Sequence, residues 1–234
     1  MCFSASASFT ASVLLIPTGI YCLKEAATKD KTYLAIASLP LFFGIQQAFE
    51  GLLWLGLASN NTNTIHSAAL SFLFFSHFFW LFWIPGSAYS VETNQLLKKI
   101  LAILTLVGFV YGACLYLPLL NYSDWLEIQI IDHSISYRLN FFFNNQVFLP
   151  KDFSWIVYIL IVLIPLFICS NRSFNLLGVL MFISAMITYL VFSYAFISVW
   201  CFFAAIISIY LIYIINQSAN PESNQLLSDV TQKL

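Results

Sequence analysis

The chain has 234 residues, of which 61% are hydrophobic and 8% charged, with a formal net charge of -1 and a mean hydropathy of +0.87. That composition excludes a soluble domain with a solvated surface and places the chain in a bilayer. The nine basic residues are scattered through the loops and do not form the clustered footprint of a nucleic-acid binder. Nucleic acid is therefore excluded as a partner, and membrane lipids are the expected surroundings.

A helix needs roughly 20 residues to cross a roughly 30 Å hydrocarbon core. Seven apolar runs approach or exceed that length, at about 6–23, 33–58, 65–89, 97–120, 153–170, 174–192 and 195–216. The first lacks a basic stretch before it and carries its charges after it, so it is expected to stay in the membrane as a reverse anchor and not to be cleaved as a signal peptide. Pro17 and Gly19 make it a candidate for a kink. Ahead of it stands MCFSA, in which Met1 is removable before a small residue. Removal would leave a free amine and a thiol together on Cys2, a candidate terminal nucleophile or acylation site.

The second run contains FGIQQAFEGLLW, with two amides and a carboxylate inside an otherwise apolar helix. Phe43, Gln46, Gln47, Glu50 and Trp54 are spaced three, four and seven apart, so they share one face. That face is expected to look into the bundle, because a charged carboxylate facing lipid near mid-membrane costs roughly 2.5 kcal/mol or more. Glu50 lies roughly 10 Å below the outer surface by helical rise. It is expected to be protonated or paired.

On the third run His66 and His77 are eleven residues apart and return to nearly the same face. His66 reads as an interfacial residue. His77 falls near mid-membrane as a candidate partner for Glu50, and Trp80 walls the same face. The bland alternative is polar glue between helices, which is worth only about 0.6 kcal/mol per pair on average.

Between the fourth and fifth runs, the loop at about 121–152 changes period. Leu126, Ile128 and Ile130 alternate with Glu127 and Gln129. After Asp132-His133-Ser134 the apolar residues Ile135, Tyr137, Leu139 and Phe141 alternate again, which predicts a β-hairpin lying over the outer mouth of the bundle. The sixth and seventh runs are separated only at Ser193-Tyr194. The seventh opens SVWCFFAA, and Tyr194, Ser198, Cys201, Ala205 and Ser208 make a small-residue face suited to close packing. The segment 217–234 reads as a disordered cytoplasmic tail.

Cations set the orientation. Lys24, Lys29, Lys31, Lys98, Lys99, Arg172 and Lys233 fall on one side of a seven-span arrangement, and Arg138 and Lys151 on the other. The predicted fold is thus an all-α membrane protein, a single seven-helix bundle over 1–216, with its N-terminus out and C-terminus in. Of the five cysteines, Cys2, Cys114 and Cys201 would lie toward the outer side, leaving a disulfide among them open. No histidine spacing characteristic of a zinc site appears, and neither metal nor cofactor is expected.

The segments MCFSASASF, FGIQQAFEGLLWLG and SVWCFFAAIIS resemble the signature blocks of a family of small, uncharacterised bacterial integral-membrane proteins that begin MCFSA. The resemblance implies a multi-pass protein of the bacterial inner membrane. It draws attention to Cys2, Gln46, Gln47, Glu50, Trp54, Ser198, Trp200 and Cys201 and carries no activity.

Three readings of function follow. In the first, a lipid or small amphipathic ligand sits in an outward-facing pocket of helices two, three and seven, lined by Gln46, Gln47, Glu50, Trp54, His77, Trp80, Ser198, Trp200 and Cys201. In the second, an intramembrane hydrolase or acyl-transfer enzyme uses Cys2 or Cys201 as nucleophile, His77 or His133 as base and Glu50 as orienting acid. In the third, a proton-coupled transporter uses Glu50 and His77 as its exchangeable site.

Overall fold

The computed structural model describes residues 4–122, 125–139 and 151–217. These residues are predominantly helical. Five helical stretches are long and apolar enough to cross a membrane, namely Ala5–Lys29, Lys31–Ala58, Thr62–Val91, Gln95–Asn121 and Arg172–Asn216, and a shorter apolar helix covers Ile156–Ile168.

Helix α1 (Ala5–Lys29) starts where the Ser4 side chain accepts the Ala7 amide at 3.3 Å. It outruns its apolar core by several residues and ends on a Lys29–Glu25 ion pair at 2.8 Å. Pro17 lies within this helix. The second stretch is broken into α2 (Leu34–Ala37) and α3 (Leu39–Ala58), with Pro40 in the first turn of α3. Proline removes a backbone donor there. The Trp83 indole N–H covers the break, donating to the Ala35 carbonyl at 3.1 Å and the Ser38 hydroxyl at 3.0 Å.

Three helix starts use the same device, an asparagine whose side-chain oxygen takes an orphan N–H. Asn61 accepts from Thr64 before α4 (Thr62–Leu73), Asn94 from Leu96 before α6 (Gln95–Asn121), and Asn171 from Ser173 before α8 (Arg172–Phe192).

Between α4 and α5 (Trp80–Val91) the chain widens into a π turn at Phe74–Phe79, the segment FFSHFF. Such turns expose a carbonyl that the helix no longer uses. Tyr158 of α7 (Lys151–Ile168) donates its hydroxyl to the Ser76 carbonyl at 2.7 Å.

Helices approach closely where glycine allows it. A Cβ on Gly19 of α1 would stand 2.2 Å from the Leu41 nitrogen of α3, and one on Gly108 of α6 would stand 1.9 Å from the Leu81 carbonyl oxygen. Neither position has room for a methyl group. The last long stretch is not straight. After α8 the chain reverses at Ser193–Ala195, and α9 (Phe196–Ile207) runs back along α8. The Trp200 indole consequently reaches Ser184 Oγ at 3.2 Å and the Met181 carbonyl at 3.4 Å. A short turn at Ser208–Tyr210 leads into α10 (Leu211–Gln217).

The loop after α6 carries the hairpin, with β1 (Leu126–Ile131) antiparallel to β2 (Ser134–Leu139). Asp132 and His133 form its tip with φ of 44° and 58°, the backbone sense that matches strand twist in a two-residue turn. Tyr137 stacks flat on Phe72 of α4, with ring centroids 5.1 Å apart. Ile135 and Tyr137 are buried, as the alternation predicts, but Ser134 and Ser136 are buried too. Strand β2 is therefore covered on both faces, and β1 forms the exposed edge. Phe141 and the tail beyond Gln217 lie outside the described residues.

Candidate functional site

The polar stripe of α3 points inward. Gln46, Gln47 and Glu50 have no solvent exposure at all, as the cost of facing lipid requires. Two of the three are fastened to other helices by direct hydrogen bonds. Gln46 Oε1 accepts the Trp80 indole N–H of α5 at 2.9 Å, and Trp80 is itself stacked on Phe43 at 4.0 Å between centroids. Glu50 Oε1 accepts the hydroxyl of Ser198, on α9. Cys201, one turn further along α9, comes beside both Gln46 and Glu50. The QQxxE block and the SVWC block thus meet in space, a juxtaposition that helical spacing within either segment cannot reveal.

Gln47 differs from its neighbours. It lies three residues after Gly44 and four before Gly51, the two positions where α3 meets Ile16 and Phe9 of α1, so it shares the face turned toward α1. Neither its amide nitrogen nor its amide oxygen has a hydrogen-bond partner among the described residues. The same holds for the hydroxyl of Ser8, fully buried on α1, and for the half-buried Trp54's indole nitrogen, one turn beyond Glu50. Ser8 was not anticipated. The recurrence of Ser8, Ser12, Leu15, Gly19, Cys22 and Ala26 along the buried side of α1 is the signal that finds it, since small residues at that spacing mark a packing face.

His77 and Glu50 take different partners. His77 Nδ1 faces Ser76 Oγ at 2.9 Å within the π turn, while Glu50 is engaged by Ser198. His77 sits within the π turn and lines a small cavity of about 10 Å³ with Tyr158, Trp200 and Cys201. A neighbouring cavity of about 20 Å³ lies between Phe43, Trp80, Trp200 and Cys201. Each has the size of one water molecule.

The remaining candidates fall elsewhere. His133 is exposed at the hairpin tip, where its positive φ serves the turn. His66 is exposed on α4. Cys2 lies outside the described residues. Cys22, Cys114, Cys169 and Cys201 are free thiols, Cys114 exposed on α6 and Cys201 buried, so the disulfide left open by the sequence does not join those two.

One titratable group was missed. Glu92, just past α5, is buried and gathers four donors: the amides of Thr93, Asn94 and Ser170, each at 2.8 Å, and the Ser170 hydroxyl at 2.9 Å. Burial opposes its charge, but these hydrogen bonds outweigh it and hold the carboxyl below its ordinary value. Glu92 thereby clips the α5–α6 connection to the α7–α8 connection. The sequence hides it, because a glutamate in a polar loop looks like solvated surface.

Apolar helices of membrane-crossing length, enclosing a stripe of buried amides and a carboxylate, define a polytopic helical membrane protein. The chain belongs to a family of unknown function, DUF6629, whose pattern matches residues 1–225. No curated protein and no solved structure matches it.

Proposed function

We propose that the protein is a seven-pass membrane protein of the bacterial inner membrane, N-terminus out, that binds a lipid or small amphipathic molecule through the polar stripe of α3. The reversal at Ser193–Ala195, which lets Trp200 of α9 reach back to Ser184 of α8, supports counting α9 and α10 as a last, seventh crossing. The site lies among the second, third and seventh crossings. Gln47 and Trp54 supply hydrogen bonds to the ligand's polar end, and Gln46, Glu50, Trp80, Ser198 and Cys201 form the wall that holds them.

The observation that carries this reading is the Gln47 amide, fully buried and without a partner for either polar atom among the described residues. An amide left so in a low-dielectric interior is costly, and a ligand that supplies its hydrogen bonds removes that cost. Native mass spectrometry of the protein purified in mild detergent, beside Gln47→Leu, tests it. A co-purifying species present in the parent and absent from the variant is expected. The same species retained at equal occupancy by Gln47→Leu would remove the amide from the site.

A second reading has one observation in its favour, that Cys201 and His77 both line the same small cavity. A nucleophilic thiol there would react with a membrane-permeant iodoacetamide faster than the lipid-facing Cys114 does. Labelling confined to Cys114 removes the enzyme reading at Cys201.

A further inference from the structure

Alongside the polar stripe runs a crevice of about 390 Å³ between α1 and the last crossing. Ala7, Ala11 and Leu14 form one wall, and Phe202 and Ile206 the other. Both walls belong to stretches of membrane-spanning length, so the medium beside the crevice is hydrocarbon. Its polarity is graded. Ser6 and Thr10, in the first two turns of α1, bring hydroxyls to one end, and everything deeper is apolar. Water gains no partners in the deeper part, and a void of this size in a bilayer forfeits packing on both walls. The occupant that fits such a lining is an acyl chain. The volume, near the lower end of the roughly 300–1,000 Å³ typical of ligand sites, suits one chain and not two.

The crevice also sits at the right seam. Its α1 wall lies next to the face of α1 that carries Ser8 and Ser12 against α3, and its α9 wall lies next to the face that carries Ser198 to Glu50. Gln47, on the α1-facing side of α3, and Ser8 therefore lie at the junction of the three helices, behind the crevice wall and outside its lining, both fully buried and with unpartnered polar atoms among the described residues. Those groups are uncharged, and Gln47 offers both donors and an acceptor. They suit a head of hydroxyls or an amide. A phosphate or carboxylate would meet neutral groups and, close by, the Glu50 carboxyl.

We infer that the crevice between α1 and α9 is the chain-binding half of the ligand site, entered sideways from the bilayer, and that its ligand is a single-chain amphiphile with an uncharged, hydrogen-bonding head, of the monoacylglycerol or fatty-amide kind. This rests on the proposed binding role of the α3 stripe.

The test uses the full chain in phosphatidylcholine proteoliposomes with a monoacylglycerol carrying a diazirine in its acyl chain. After photolysis the labelled peptides are mapped by mass spectrometry. Labels are expected several-fold denser on the α1 and α9 crevice walls than on Leu106 and Val110, which α6 exposes to lipid. They are expected to be lost in Ala11→Trp and in Ile206→Trp, which fill the crevice from opposite sides, and kept in Leu106→Trp. Using both filling variants guards against one of them misfolding. Excess unlabelled monoacylglycerol is expected to compete, and fatty-acid anion is not. Labelling spread evenly over all lipid-facing helices overturns the inference, and so does equal competition by the anion. Dense crevice labelling that is unchanged by Gln47→Leu keeps the chain seat but overturns the polar anchor, and so separates this inference from the reading it rests on.

Discussion

Replacing Gln47 by Leu separates two explanations of the same buried amide by sign. If Gln47 is polar glue between helices, its removal costs what such bonds contribute in membranes, about 0.6 kcal/mol on average and up to about 1.7. The structure argues for the other sign, because the amide is fully buried and neither of its polar atoms is paired among the described residues. An unpaired buried polar group carries a desolvation penalty of about 1–3 kcal/mol. Leu has similar volume, so it removes the penalty without leaving a cavity. The unfolded chain in a micelle finds alternative partners for Gln, which recovers part of that gain, so a stabilisation of about 1–2 kcal/mol is expected for the ligand-free protein. The assay is reversible unfolding in mixed micelles at rising dodecyl sulfate fraction, with delipidated parent and variant followed by tryptophan emission. In the presence of ligand the order reverses, because only the parent gains binding energy, about 2.7 kcal/mol at a hundredfold excess over Kd. A ligand-free Gln47→Leu protein that is less stable than the parent by about 1 kcal/mol or more would refute the reasoning and return Gln47 to a packing role.

Other consequences can be checked on the same protein. Gly108→Ala places a methyl group into the Leu81 carbonyl and is expected to cost about 1–3 kcal/mol by overpacking, seen as earlier unfolding in the same titration; a neutral result would mean that α6 can move away from α5. Tyr158→Phe removes the hydroxyl from the Ser76 carbonyl and is expected to cost about 1 kcal/mol, with faster amide exchange confined to the π turn. Glu92, whose carboxyl is held below its ordinary value, contributes stability that is complete above the unfolded pKa of about 4.3 and fades as pH falls through that value toward the folded one. Thermal stability of Glu92→Gln is therefore expected to be lower at neutral pH and to fall less than the parent's on acidification; parallel curves would show that the clip is not made.

Which parts of this arrangement could be read from sequence depended on range. The α3 stripe and the hairpin were legible because each is a periodic pattern within a few turns or a few residues: amides and a carboxylate at three- and four-residue spacing, and apolar residues alternating about Asp132-His133. The partner of Glu50 was not legible, because Ser198 lies 148 residues away and a serine among small residues advertises nothing. The π turn was hidden for a different reason. FFSHFF is as apolar as the helix around it, and what the wide turn meets lies on other helices, Tyr158 of α7 on one side and Gly112 of α6 on the other. The break at Ser38 had a local signal in Pro40, but hydropathy alone ran through it. Glu92 carried no signal, since its four donors come from two loops that only the fold brings together.

The distribution of bonds along the stripe explains why α1 is the helix to watch. Gln46 ties α3 to α5 and Glu50 ties it to α9, so these three helices are held by directional contacts in addition to packing. Between α1 and α3 the backbones approach closely at Gly19 of α1 and Gly44 of α3, which fixes how near the helices come. Gln47 and Ser8 add no hydrogen bond across that contact among the described residues. Packing in lipid lacks a hydrophobic driving force and leans on contact area and polar bonds. The hydrogen bonds of α1 to α10, from Tyr21 and Lys29 to Asn216, lie toward its C-terminal end, so the position of its first turns is set by packing and by whatever fills the space beside them. In this bundle that space is the crevice against α9. An amphiphile seated there adds area along the α1 wall and hydrogen bonds at its head, so ligand occupancy and the docking of the first turns of α1 are expected to rise and fall together.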